Sequence, residues 1–289
     1  VTIYDGHAWP SGYSGDAFIA DAGSNLVHRK KLRSYGIKFT AQRPDNERDR
    51  EFLASTDNWF RPVQMEVGPD GALYIADMYR EVIEHPWSLP HGIKQHIDLD
   101  SGNDRGRIYR VVSRVFVQPK LPRLGQATVA QLVEMLDYPN GWHRSTAARL
   151  LFERQNQVAC EPLRRLAKRG KTGLGRMHAL HALAGLDALK RSDLVAVTTD
   201  FSPVVRTHAI RLAERFLPKR QAGIGGKPTG VTPLTQSLLR LADDHDKHVR
   251  FQLAWTLGTV EFPDKADALA KLFRQAGADH WQLGALLNA

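Results

Sequence analysis

Residues 68–77 read Gly68-Pro69-Asp70-Gly71-Ala72-Leu73-Tyr74-Ile75-Ala76-Asp77. Pro and Gly around an Asp signal a tight turn, and the alternating Leu-Tyr-Ile-Ala run that follows signals a strand. The same four-residue pattern occurs 56 residues earlier, as Phe18-Ile19-Ala20-Asp21, again after a Gly-containing turn (Gly15-Asp16). Each copy is followed by a loop that ends in a histidine, His28 or His85. Outward from these two copies lie further short runs rich in β-branched and aromatic residues: Leu26–Leu32, Lys38–Gln42, Val63–Val67, Arg107–Val112 and Val115–Gln118. Short strands repeating at 40–60 residues are the sequence signature of four-stranded propeller blades. Residues 1–118 are therefore expected to form about two blades of a β-propeller. Two blades cannot close a ring, so the chain is expected to be a piece of a longer protein.

The pattern changes after a linker at residues 119–127. From Thr128 the apolar residues recur at helical spacing, and five helical hairpins can be laid out over residues 128–289. The second helices align as WHRSTAARLL from Trp142, LGRMHALHAL from Leu174, VVRTHAIRLA from Val204 and HVRFQLAWTL from His248. An arginine recurs at 144, 176, 206 and 250. This form resembles HEAT repeats, in which stacked hairpins bury a continuous core and offer a concave face to a protein partner. The repeated arginine is expected to pair with acidic or carbonyl groups of the next hairpin. The expected fold class is thus C-terminal propeller blades followed by a HEAT-like α-solenoid. Gln221–Pro233, with four Gly and two Pro, reads as a surface loop; it lacks the Gly-Lys-Ser/Thr needed to cradle phosphate.

Charge divides at the same boundary. Residues 1–120 carry 16 basic and 16 acidic side chains, so the net charge of +9 lies wholly in the helical half. A solvated basic face is the ordinary explanation. No interleaved aromatic stripe accompanies the basic residues, so nucleic acid is not the expected partner. No run of 18 apolar residues occurs, and no transmembrane segment is expected. The single cysteine, Cys160, can form no internal disulfide and no CxxC site.

The densest collection of chemically capable residues spans Asn58 to Pro90, with Arg61, Asp77, Tyr79, Arg80, Glu81, Glu84, His85 and Trp87 around one strand end and the loop after it. Loop residues placed by a rigid scaffold are good functional candidates, and local ion pairing is the structural alternative. His91 and His96 are five apart, which is no helical ligand pair, and Asp21, Asn25 and Asp77 offer calcium-type oxygens without a recognised calcium-loop spacing. No protein metal site is expected from spacing.

The run DNWFRPVQMEVGPDGALYIADMYREVIEHPW from Asp57, the earlier DAFIADAGSNLVHR from Asp16 and the later GRIYRV from Gly106 resemble the large planctomycete and verrucomicrobial proteins called membrane-bound dehydrogenases. In that family a propeller similar to glucose/sorbosone dehydrogenases precedes HEAT-like repeats, and many members end in a c-type cytochrome domain. The resemblance implies a pyrroloquinoline quinone (PQQ) cofactor with calcium, a sugar or alcohol substrate, and electron transfer to a haem in a domain outside this chain. It also implies a periplasmic or membrane-associated location. Arg61 corresponds to the basic residue before the Gly-Pro-Asp-Gly turn, suited to holding a cofactor carboxylate. Asp77, Tyr79, Arg80, Glu81 and His85 complete the cofactor-binding candidates. The family's second cofactor residue, a lysine, falls at Ser24-Asn25, where this chain has none. The family's catalytic base lies in earlier blades, so no catalytic residue is assigned. The alternative is a non-catalytic scaffold that binds a protein or polysaccharide.

Overall fold

The computed structural model describes residues 1–218, 231–277 and 279–287. Residues 219–230, which hold most of the Gln221–Pro233 segment, lie outside the described residues. The chain divides into two compact units: residues 1–34, 39–121 and 139–142 form the first, and residues 35–38, 122–138 and 143–289 form the second.

Among the described residues eight strands occur: β1 (Thr2–Ile3), β2 (Ala17–Asp21), β3 (Leu26–Tyr35), β4 (Lys38–Gln42), β5 (Leu53–Ala54), β6 (Pro62–Val67), β7 (Leu73–Asp77) and β8 (Arg107–Val111), with a one-turn helix α1 (His91–Lys94). They build two sheets. One has five strands in the order β1-β2-β3-β4, with β5 also paired to β3; the other is β6-β7-β8. The registers Ile19↔His28 and Ile75↔Tyr109 belong to antiparallel pairs. Phe18, Val27, Met65, Val67, Leu73 and Ile75 of the two sheets share one core with Tyr4 and Trp9 of the segment between β1 and β2. Tyr4 stacks on Trp9 at 4.3 Å between centroids. Its hydroxyl donates to the Gly71 carbonyl at 2.7 Å, so the buried phenol is satisfied.

The propeller expectation is corrected here, and with it the fold class that combined propeller blades with a HEAT-like solenoid. The described residues hold antiparallel sheets of five and three strands, with no closed ring, followed by a helical part. The 56-residue repeat misled because it marks a local chemistry. Both copies are central strands that end in an aspartate: Asp21 accepts the Ser24 N–H, and Asp77 accepts the Tyr79 N–H. The surrounding sheets differ in strand number and order, so the copies are not equivalent blades. The expected strand at Val115–Gln118 is also absent; the chain turns there, with Phe116 N–H donating to Ser113 O.

Among the described residues ten helices follow α1: α2 (Val129–Met135), α3 (Gly141–Arg154), α4 (Cys160–Arg169), α5 (Gly173–Gly185), α6 (Arg191–Val197), α7 (Pro203–Ala213), α8 (Pro233–Arg240), α9 (Lys247–Thr259), α10 (Lys265–Ala276) and α11 (His280–Leu287). Their starts are capped by sequence. Thr128 and Gln131 form a capping box, Thr172 accepts the Gly175 N–H, and Asp246 accepts those of His248 and Val249. Pro203 and Pro233 occupy first-turn positions where no N–H is needed. Helices α5, α7, α9 and α11 pack in succession. Leu163, Leu180, Leu194, Ile210, Leu238 and Leu253 are completely buried between the helices. No helix among the described residues is long and apolar enough to cross a membrane.

The repeated arginines make one recurring bond. Nη1 of Arg144, Arg176, Arg206 and Arg250 each donates to the carbonyl six residues earlier, on Tyr138, Gly170, Asp200 and Asp244. Two of them also clamp the next pair of helices. Arg176 binds both oxygens of Asp200 at 2.7 Å, and Arg206 binds both oxygens of Asp244.

Candidate functional site

Five of the six candidate residues converge at one end of the three-stranded sheet, where Asp77 pairs with Pro62 on one side and Arg107 on the other. Asp77 is buried, and its Oδ1 accepts the backbone N–H groups of Arg61 and Tyr79 at 2.8 Å each. One carboxylate oxygen thus locks the strand end to the segment before β6.

Arg61 is turned inward on the backbone. Nε donates to Arg80 O at 2.9 Å, Nη1 to Ala22 O at 2.9 Å and Nη2 to Glu81 O at 2.8 Å. Arg80 in turn donates to Asp100 O at 3.2 Å. Glu81 takes part through its main chain, its side chain being exposed.

Tyr79 has a positive φ of 51°, a conformation unusual for a bulky residue. The Asp77 cap holds its N–H. At its carbonyl, Gly102 (φ 88°) approaches so closely that a Cβ there would stand 2.3 Å from Tyr79 O. The Tyr79 hydroxyl donates to Asp57 Oδ2 at 2.9 Å, and the Arg107 guanidinium lies 3.8 Å over its ring. The hydrogen bond to Asp57 raises the Tyr79 phenol above its ordinary range. Asp57 is lowered by the Trp59 N–H first and by that hydroxyl second. Asp57, Trp59 and Arg107 were not singled out from the sequence, because only the pairing of β7 with β8 brings Arg107 to Tyr79, and only that of β6 with β7 brings the segment of Asp57 and Trp59 there.

His85 does not join this group through any bond of its own. It opens the short 3-10 turn Pro86–Ser88, where its Nδ1 accepts the Trp87 N–H at 3.2 Å.

The arrangement does not fit a PQQ carboxylate or a calcium ion. Every guanidinium nitrogen of Arg61 already donates to a carbonyl. At the second family position, the Asn25 side-chain amide donates to Asn58 O and Phe60 O at 3.0 and 2.7 Å. The carbonyls of Ala22, Arg80 and Glu81 face a cation that the chain itself supplies. Among the described residues no group of three or more His, Cys, Asp or Glu side chains is placed to hold a metal.

Residues 1–115 match a family model. Its description is a domain of unknown function (DUF7133). The matched span holds β1 to β8 and amounts to less than half of the chain. No curated protein matches this chain. Among solved structures, the crystal structure of an engineered protein is similar at 17% identity, covering 56% of this chain and 77% of that one, with a TM-score of 0.35. A score of that size carries no argument about fold or function.

Two clefts elsewhere are also occupied by internal bonds. In the first unit, His7, Asp70, Ser113 and Phe116 line a cleft of about 330 Å³. Burial lowers the His7 imidazole. Asp70 accepts the Ala72 N–H and the Tyr74 hydroxyl and pairs with Arg110. In the helical unit, Asp200, Phe201, Arg240, Asp243 and His245 line a cleft of about 580 Å³. Its carboxylates are held by Arg176, Arg206 and Lys271.

A cluster that sequence reasoning missed lies on the helical unit. His181 Nε2 stands 2.8 Å from His208 Nδ1, joining α5 to α7. His178 is one turn before His181. A signal existed: in the aligned second helices His178 and His208 hold the same position, two residues after the repeated arginine.

Proposed function

We propose that this chain is a non-catalytic binding scaffold whose helical unit docks a protein partner. The observation that carries the reading is the Arg61 guanidinium, enclosed by the carbonyls of Ala22, Arg80 and Glu81. The residue that the dehydrogenase resemblance makes an anion ligand has the contacts of an internal staple. A guanidinium whose three donors are committed to carbonyls, two of those bonds half-buried and the one to Glu81 exposed, would leave the half-buried carbonyls unpaired if it swung out to a ligand. The basic excess of the helical half supports a partner with negative charge. The family resemblance supports a periplasmic or membrane-associated setting for such a scaffold.

The competing reading, part of a PQQ-dependent sugar or alcohol dehydrogenase that delivers electrons to a c-type haem elsewhere, rests on sequence resemblance alone. Calorimetric titration of the chain with PQQ in the presence of calcium separates the two. The scaffold reading expects no binding heat, and no dye reduction with a panel of sugars and an artificial electron acceptor. Stoichiometric PQQ binding abolished by Arg61→Lys, in a variant that remains folded by circular dichroism, would overturn it.

A further inference from the structure

The second helices place two rows of side chains in register, from the exposed His181, Arg211 and Trp255 to the half-buried His178 and His208 and the buried Gln252. Two residues after the repeated arginine stand Thr146, His178, His208 and Gln252; five residues after it stand Arg149, His181, Arg211 and Trp255. These offsets fall on one helix face, since residues three and four apart lie one above the other. Packing α5 against α7 brings His181 to His208, with ring centroids 5.0 Å apart and planes at 79°. Arg211, one turn after His208, is exposed and makes a single long hydrogen bond, 3.4 Å to Gln252 of α9. Its state contrasts with that of Arg206, which is fully engaged on the same helix. His178, His181, His208 and Arg211 thus form a strip of nitrogen donors across two helices.

The charges that act on this strip are all positive. Arg144 of α3, Arg211 and the histidines themselves act on the three imidazoles. The neighbouring carboxylates have other partners: Glu214, which follows α7, accepts the Thr256 hydroxyl of α9, and Glu161 and Asp193 of α4 and α6 are paired with Arg164. Arg250 of α9 is bound to Asp244 O. The exposed apolar neighbours on α5 and α7 are Leu174 and Val204. These aliphatic side chains suit a peptide, and Trp255 of α9 is exposed as well.

We propose that this strip is the docking site for a carboxylate-rich segment of a protein partner, an inference that rests on the scaffold reading above. Burial first, and the neighbouring cations second, hold His178 and His208 down to about 4 in the free protein. Burial first, then Arg211, lowers His181 as well. At neutral pH the histidines are therefore uncharged, and Arg211 supplies the initial attraction. Carboxylates placed against the strip favour the imidazolium form, so docking takes up protons. Affinity then rises as pH falls below the bound-state value, by up to about tenfold per pH unit for each proton taken up.

The test is fluorescence anisotropy of the whole chain with a labelled octaglutamate peptide. Between pH 7.5 and 5.5 the dissociation constant is expected to fall by roughly tenfold, consistent with one proton taken up over the lower unit of that range. The peptide's own titration would change affinity in the opposite sense. The triple variant His178→Gln, His181→Gln and His208→Gln should abolish the pH dependence, and Arg211→Gln should weaken binding about tenfold at every pH. Circular dichroism checks that each variant is folded. Peptide binding that ignores both pH and these variants would overturn the docking site while leaving the scaffold reading standing. So would absence of binding at any pH, or tighter binding of a single-stranded oligonucleotide sensitive to the same variants. The PQQ titration tests the scaffold reading separately.

Discussion

Arg206 grips Asp244 through two parallel hydrogen bonds, Nε to Oδ2 at 2.6 Å and Nη2 to Oδ1 at 2.7 Å. Both side chains are nine-tenths buried or close to it. Removing either partner leaves a charge without its counterpart in a dry setting. Arg206→Ala and Asp244→Ala should each lower unfolding stability by ~3 kcal/mol in a denaturant titration. Burial pushes the Asp244 carboxyl up, but the bonds from Arg206 and the Asp246 N–H outweigh it, and the net direction is downward. A depressed carboxylate stabilises the fold above its unfolded value of 3.8, and that stability is lost as pH falls through the folded value. The difference between wild type and Asp244→Asn should accordingly shrink below about pH 4.

The histidines of α5 and α7 give the opposite region of the pH axis. Their unfolded value is 6.5, and His178 and His208 sit near 4 in the fold. Between those values the unfolded chain binds more protons, so stability is complete above 6.5 and declines toward 4. The decline should be roughly 2 kcal/mol per histidine, discounted for partial exposure. Replacing both by Gln should flatten the melting temperature across that window.

Arg61→Ala should destabilise the first unit, because the carbonyls of Ala22, Arg80 and Glu81 lose their donor together. A loss of ~2 kcal/mol is expected by chemical denaturation followed through tryptophan fluorescence. Arg61→Lys should recover only part of it, since an ammonium on a flexible stem cannot reproduce a three-way planar fork.

Gly102→Ala should cost at least ~2 kcal/mol. The residue holds φ 88°, and its new methyl group would meet the Tyr79 carbonyl at 2.3 Å. Solvent exposure of Tyr79 should rise in the variant, measured by tyrosine nitration followed by mass spectrometry.

Local elements were readable from the sequence because their signals are local. The apolar spacing from Val129 onward and the caps at Thr128, Thr172 and Asp246 mark helices without knowledge of their neighbours. Strand pairing is different. Phe18-Ile19-Ala20-Asp21 and Tyr74-Ile75-Ala76-Asp77 look alike because both end in an aspartate that caps a turn. Nothing within four residues says that β2 lies in a five-stranded sheet and β7 in one of three. The candidate site was misread for a related reason. Arg61 has the chemistry of an anion ligand, yet its partners are main-chain carbonyls, which every residue possesses and no side-chain letter announces. The histidine strip was legible only through the alignment of one hairpin with the next.

The arginine clasp is indifferent to the length of chain it closes. Arg176 reaches Asp200 across 24 residues, and Arg206 reaches Asp244 across 38, with the same two-pronged geometry. The clasp therefore tolerates extra sequence between its two ends, since lengthening a connection adds little closure cost. Whatever lineage or designer places a new segment at that point inherits a helical stack already fastened around it.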